Sequence, residues 1–190
     1  MTSSCYCLRN HFLISMPHLD DLNFTQTVTY ICDHSEYGAM GLVVNRPVGL
    51  TLIELCDHLN LPCTSPDNQQ KAVYSGGPLH SDRGYVLHQS DNPLAWTSSH
   101  LIADDIYLST SIDAIEAAAE GHFSHDYLVA LGCASWGPNQ LEEEMIDNVW
   151  LSCPANSDIL FGTPAEERLQ AAASVLGVDL GLLSAHSGHA

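Results

Sequence analysis

The sequence predicts an α+β domain of mixed or antiparallel sheets flanked by about four helices. Three observations carry this. Strand-like segments outnumber helical ones. Several strands follow one another with no helix between them. Helical periodicity is confined to four punctuated stretches, so the strict β-α-β alternation of a doubly wound fold is absent.

Taken in order, residues 1–8 read as a frayed terminus. "NHFLISMP" is a first strand stopped by Pro17. "LDDLNFTQ" is a polar connection, and "TVTYICDH" alternates β-branched and aromatic residues as a strand does. "AMGLVVNRP" is a buried strand ended by Pro47. Thr51 and Glu54 have capping-box spacing, and Leu52, Leu55, Cys56 and Leu59 follow as one helical stripe closed by Pro62. "AVYSGGP" and "GYVLHQ" are strands around the turn-rich "GGPLHSDRG", and "AWTSSHLI" and "IYLSTS" are two more. Asp113 and Glu116 open a short helix ended by Gly121, and "YLVALGC" is a hydrophobic late strand. A helix from Gln140 precedes the extended "VWLSC". The last helix is expected to have Thr163 as N-cap, Pro164 at its first position, Glu166 completing the box and Gly177 after its end. Its stripe is Leu169, Ala172, Ala173 and Leu176.

The 190 residues suffice for one domain, 1–190, with a sizeable core. Charge narrows the function. Five Lys and Arg face 23 Asp and Glu, for a formal charge of −18. The cations, Arg9, Arg46, Lys71, Arg83 and Arg168, are scattered. They make no basic stripe for duplex DNA and no patch for an anionic membrane. The acidic excess serves solubility or forms a docking face for a basic partner. Protonating all eleven histidines would move the charge from −18 to −7. Seven cysteines, an odd number without a C-x-x-C pair, sit mostly in apolar segments, which fits reduced thiols in the cytoplasm. No signal peptide and no apolar run long enough for a bilayer is visible.

The stretch "LGCASWGPNQLEEEMIDNVW" (131–150) invites a catalytic reading. A hydrolase elbow needs G-x-S-x-G, and Ser135 has Gly137 two places after it but Cys133 two places before. Cys133 ends an apolar strand with no cation beside it in sequence, the setting of an inert thiol. A phosphate at this helix start would meet Glu142, Glu143 and Glu144. The corner therefore reads as structural: Gly137 and Pro138 turn the chain, Asn139 and Glu142 cap the helix, and Leu141, Met145 and Val149 face inward. Trp136 is either a lid on the core or one wall of a binding surface.

"VNRP" and "SGGPLHSDRG" place Arg46 and Arg83 in rigid loops. Each arginine either pairs with an internal carboxylate, Asp82 or the 142–144 run, or holds an anionic ligand by its fork of donors. Gly76 and Gly77 allow close backbone approach or positive φ but do not make a P-loop. No H-x-x-x-H or H-E-x-x-H appears, so no metal site is expected; Cys32 and His34 are at most a half-site. "SAHSGHA" adds two C-terminal histidines.

The segments "NHFLISMPHLDDLNFTQTVTYICDHSEYGAMGLVVNRP", "YSGGPLHSDRGYVLH" and "LVALGCASWGPNQLEEEMIDNVWL" resemble, in the same order, the AlgH/YqgE family of bacterial proteins. The resemblance implies a cytoplasmic α+β protein whose sheets fold into a pseudo-barrel, and no defined reaction. The family's characteristic positions fall on Asn45, Arg46, Pro47, Gly76, Gly77, Pro78, Asp82, Arg83, Gly84, Trp136, Gly137, Gln140, Leu141 and Glu142. Where the family pattern reads GYAGWGPGQLE, this chain has GCASWGPNQLE, so neither Cys133 nor Ser135 stands where relatives could share a catalytic group. The expected function is that of a non-enzymatic regulatory or interaction protein acting through an unidentified protein partner, without cofactor, direct nucleic-acid contact or membrane. The alternative is a small-molecule-binding protein or an enzyme with a cleft near Arg46, Arg83 and Trp136. The candidate ligand or partner residues are Asn45, Arg46, Gly76, Gly77, Pro78, Arg83, Trp136 and Gly137.

Overall fold

The computed structural model describes residues 7–90 and 96–185, with side chains followed to residue 183. Cys5, the first six residues of the expected frayed terminus and the two C-terminal histidines lie outside the described residues. The elements run β1 (His11–Ser15), β2 (Val28–Ser35), β3 (Gly38–Val43), β4 (Pro47–Thr51), α1 (Leu52–Leu59), β5 (Ala72–Ser75), β6 (Leu79–Gln89), β7 (Ser99–Ala103) and β8 (Ile106–Ser109). They continue with α2 (Ile112–Glu120), β9 (Tyr127–Trp136), α3 (Gln140–Ile146), β10 (Trp150–Pro154), a π-helical turn over Asp158–Gly162, α4 (Arg168–Val175) and α5 (Leu180–Ala185). The class is α+β, as expected. The chain divides into two compact units, one of Met1–Asn45 with Ala134–Ala190 and one of Arg46–Cys133.

In the first unit the strands neighbour in the order β10, β1, β2, β3 and the last three residues of β9, every pair antiparallel. Phe12, Leu13 and Ile14 of β1 are all fully buried, so this strand is covered on both faces. Its core joins Leu13, Ile31, Ala39, Ala134, Trp136, Leu141 and Trp150, with Leu19, Phe24, Met145 and Val149 packed on the rim. Leu8 belongs to that core at 3% exposure. Leu8, placed by its sequence at the end of a frayed stretch, is thus held in the core. Gly38 permits the β2–β3 hairpin: its φ is +123°, and a Cβ there would stand 2.2 Å from the carbonyl oxygen of Trp136.

In the second unit the order is β7, β8, β6, the first part of β9, β5 and β4. Only the β5–β9 pair of these is parallel. The sheets are thus mixed and antiparallel, as the adjacent strands require. α1 and α2 bury Leu52, Leu55, Cys56, Ala114, Ile115 and Ala118 against Val73, Val86 and Val129. Thr51 donates through both its N–H and its hydroxyl to Glu54 Oε2, each at 2.8 Å. Glu54 thus closes the helix start as its spacing predicts, and the two bonds hold its carboxyl below the ordinary value. α1 ends sooner than Pro62 because Asn60 takes a left-handed φ of 56°.

Three expectations are corrected. Pro47 does not end the run at β3 but opens β4, which among the described strands pairs with β5 alone; an edge strand tolerates the missing N–H. The turn expected over 76–84 is largely strand, because β6 starts at Leu79 and absorbs the irregularity as a register shift before Gly84. The last major helix begins at Arg168, not Pro164. Thr163 turns its hydroxyl back to the Asp158 carbonyl at 3.1 Å, and Pro164–Glu167 form a separate turn. Gly177 follows the helix with φ +69°, as expected, but Leu176 is 40% exposed and Ala172 and Ala173 carry the burial.

Candidate functional site

The corner after β9 gathers the first unit's chemistry. Trp136 ends β9, and Gly137 and Pro138 turn the chain into α3. The turn closes differently from its spacing. Asn139 adopts φ 61° and caps nothing with its side chain. Gln140 performs the closure: its Oε1 accepts the Gly137 N–H at 3.0 Å. Glu142 is drawn away from the helix start. It meets His34 Nε2 at 2.9 Å, while His34 Nδ1 accepts the Leu8 N–H at 2.9 Å. Since Nδ1 is an acceptor, the ring proton sits on Nε2 and is donated to Glu142. Both ring nitrogens are occupied, so His34 is not half of a metal site with Cys32, and no group of three metal-ligating side chains exists among the described residues.

Glu144 organises the other side of the corner. Its Oε2 accepts the indole N–H of Trp136 at 2.9 Å and of Trp150 at 2.7 Å. Its Oε1 accepts the Gln140 amide at 2.9 Å. The indoles stand at 81° to each other with centroids 6.0 Å apart, and Phe24 packs edge-on to Trp150 at 5.6 Å. Beside this aromatic corner opens a cleft of about 270 Å³. Leu19, Phe24, Val149 and the two tryptophans make its apolar wall; Asp21, Ser135, Gln140 and Glu144 make its polar one. Among the described residues the lining holds two carboxylates and no basic side chain. Trp136, only 4% exposed, is both lid and wall.

The other candidates divide between structural and open positions. Asn45 is a bracket: its Oδ1 accepts the Val28 N–H at 2.8 Å and its Nδ2 donates to the Gln26 carbonyl at 3.0 Å. In the second unit Gly76 donates its N–H to the Leu131 carbonyl at 2.7 Å. Gly132, at φ +74°, lets the Gly77 carbonyl approach so closely that a Cβ there would stand 2.5 Å from it. The Gly-Gly pair therefore serves backbone-to-backbone approach inside the sheet. Pro78 is exposed beside it. Arg46 accepts the Ser75 N–H on its carbonyl at 2.8 Å. Arg83 is exposed, forms none of the ion pairs found among the described residues, and lies 5.8 Å from the Tyr85 ring centroid. Both arginines belong to the second unit, and the cleft beside Trp136 is lined by residues of the first.

Cys133 is buried and accepts the Tyr85 hydroxyl at 3.4 Å. Burial and then that bond push the Tyr85 phenol up to about 12. The cations are fewer in practice than in sequence. Arg168 is buried, with Nε donating to the Thr163 carbonyl at 2.8 Å and Nη1 to the Val44 carbonyl. Lys71 stands 3.8 Å over the Tyr127 ring, and burial lowers its ammonium pKa.

One buried cluster was not singled out by its residue pattern. His88, 1% exposed, bonds Ser109 Oγ at 2.8 Å, and Ser109 bonds Ser99 Oγ at 2.5 Å. Trp96, Tyr107 and Phe123 pack around the imidazole at 4.8, 5.8 and 4.9 Å. Burial drops its pKa to about 4, so the ring is neutral at neutral pH. A histidine closing a run of four buried strand residues gives no local sign of its aromatic surroundings.

No described helix is long and apolar enough to cross a membrane. The family model DUF179, AlgH-like, matches residues 12–181. The chain is 50% identical over 189 residues to the UPF0301 protein AlgH of Pseudomonas aeruginosa, covering 99% of this chain and 98% of that one. It is 49% identical over 182 residues to a UPF0301 protein of Chromohalobacter salexigens, covering 96% and 98%. Among solved structures, the solution structure of AlgH from Pseudomonas aeruginosa superposes with a TM-score of 0.79 at 49% identity, over all of both chains. A crystal structure from Corynebacterium diphtheriae shares the fold at a TM-score of 0.70 and 20% identity, covering 97% and 94%. The chain belongs to the AlgH-like (DUF179) family.

Proposed function

We propose that this protein is a cytoplasmic, non-enzymatic regulatory protein that acts through protein contacts and not by gripping nucleic acid. The observation that carries the reading is the shortage and disposition of positive charge. Five cations face 23 acids, and of the five Arg168 is internal while Lys71 lies half-buried over an aromatic ring. A polyanion is held by cations displacing its counterions, and three remaining arginines scattered along the chain do not make that surface. The corner that most resembles an active site supports the same reading. Its carboxylates hold His34, Trp136 and Trp150, and its thiol is buried.

Exposed apolar side chains supply contact points. Leu22 is 89% exposed, Tyr37 81% and Ile146 78%. The test is photo-crosslinking in the bacterial cell, with a photoreactive residue at Tyr37, Leu22 or Ile146 and, as a control, at the acidic exposed Asp57. The reading expects discrete protein adducts from one or more of the first three and none from the control. Adducts to nucleic acid, or no adduct above the control, would count against it.

A further inference from the structure

Beyond that reading, the geometry points to the cleft beside Trp136 as a binding site for a free primary alkylammonium ion of metabolite size. Charge is the first argument. Glu144 receives three hydrogen bonds, all from neutral groups: two indoles and one amide. Neutral donors orient a carboxylate without cancelling its charge. Asp21 adds a second negative charge and accepts the Asn23 N–H on Oδ1 at 2.7 Å. The cleft thus holds two carboxylates with no internal counterion in its lining. The field of a protein carrying −18 draws cations towards such a place.

Hydrogen-bond capacity is the second argument. A carboxylate offers about four acceptor sites. At Glu144, Oε2 is filled by two indoles while Oε1 has taken one donor, which leaves room for one more. Asp21 Oδ2 is the second open acceptor. An ammonium brings N–H donors that such acceptors can take; a quaternary ammonium brings none. The third argument is the wall. Phe24 is only half-buried and, with Leu19 and Val149, offers apolar surface to the alkyl chain, while Trp136 and Trp150, 4% and 3% exposed, form the floor beneath the carboxylate. At about 270 Å³ the cleft is smaller than most drug-sized pockets, so the occupant is small.

The test uses the full chain and reads its indole N–H resonances by two-dimensional NMR. The probes are n-butylammonium, its uncharged analogue n-butanol, tetramethylammonium, and lysine blocked at both backbone ends. The proposal expects n-butylammonium to shift the Trp136 and Trp150 resonances saturably, with Kd about 1 mM, and to leave Trp96 still. Butanol and tetramethylammonium should act at least tenfold more weakly. Asp21→Asn should weaken n-butylammonium about tenfold with the spectrum otherwise unchanged, and Glu144→Gln, if folded, should do the same. No saturation, equal response to butanol, or an unaffected Asp21→Asn variant overturns the site. Tighter binding of blocked lysine than of n-butylammonium overturns the free-amine assignment in favour of a protein side chain. Either result leaves the crosslinking test of the regulatory reading unaffected.

Discussion

Trp150 donates its indole N–H to Glu144 Oε2 at 2.7 Å, and the same oxygen takes the indole of Trp136 at 2.9 Å. One carboxylate therefore joins the end of β9 to the start of β10. Removing it strands two nearly buried donors, at about 1–3 kcal/mol each. We expect Glu144→Ala to lower stability by about 2–4 kcal/mol, read as a shift in the urea midpoint. Glu144→Gln keeps one acceptor oxygen and should lose less than half as much. Equal losses from the two would show that the full carboxylate, which Gln lacks, is needed and that one retained acceptor oxygen is not enough.

His34 ties Leu8 to Glu142. With His34→Ala the Leu8 N–H loses its acceptor, and Leu8 is a core residue. The expected cost is about 1–3 kcal/mol, with a selective rise in hydrogen exchange at Leu8. Glu142→Gln should preserve the bond to Nε2–H and cost little. A large effect of Glu142→Gln would mean that the charge at this position does more than receive a proton donor.

These two relationships mark the limit of what the sequence disclosed. Its periodicities located β1, β2, α1, α2 and α3, because in each the side-chain pattern answers to a face visible within ten residues. β4 was hidden by Pro47, whose usual meaning as a stop is overridden where an edge strand starts. The Thr163–Glu166 spacing looked like a helix start, yet the preceding π-helical turn takes the Thr163 hydroxyl. Asn139 and Glu142 looked like a cap for the same local reason. Glu142 instead finds His34, 108 positions away, and no local rule reports such a partner. Trp136 was legible as a candidate; Trp150 and Glu144 were not, since nothing in "EEE" says which carboxylate turns inward.

Gly132 and Gly49 separate strain from steric conflict. Both have positive φ, +74° and +73°. At Gly132 a Cβ would come within 2.5 Å of the Gly77 carbonyl oxygen, whereas at Gly49 nothing lies within 4 Å. Gly49→Ala should cost about 1–2 kcal/mol, the left-handed backbone alone. Gly132→Ala should cost about 3 kcal/mol or more, since backbone must also move. Comparable thermal midpoints for the two variants would contradict the close approach of the Gly76–Gly77 segment.

His88 supplies a pH dependence. Its folded pKa is about 4 against an ordinary 6.5, because burial disfavours the imidazolium. The unfolded chain therefore binds this proton first as pH falls. The neutral ring's contribution is complete above about pH 6.5 and is lost progressively towards pH 4. Down to pH 4 the loss is about 2–3 kcal/mol. His88→Phe, which suits the surrounding rings, should flatten the stability difference between pH 7 and pH 4 by that amount. An unchanged slope would place the acid sensitivity elsewhere.

The central claim is that this protein has too little accessible positive charge to hold a polyanion. Fluorescence anisotropy of labelled duplex DNA, titrated with purified full-length protein at physiological salt, tests it most directly. The account predicts no saturable binding below about 100 µM protein, the weak limit of ordinary non-specific association. Binding with Kd below about 1 µM, weakening steeply as salt rises, would contradict it.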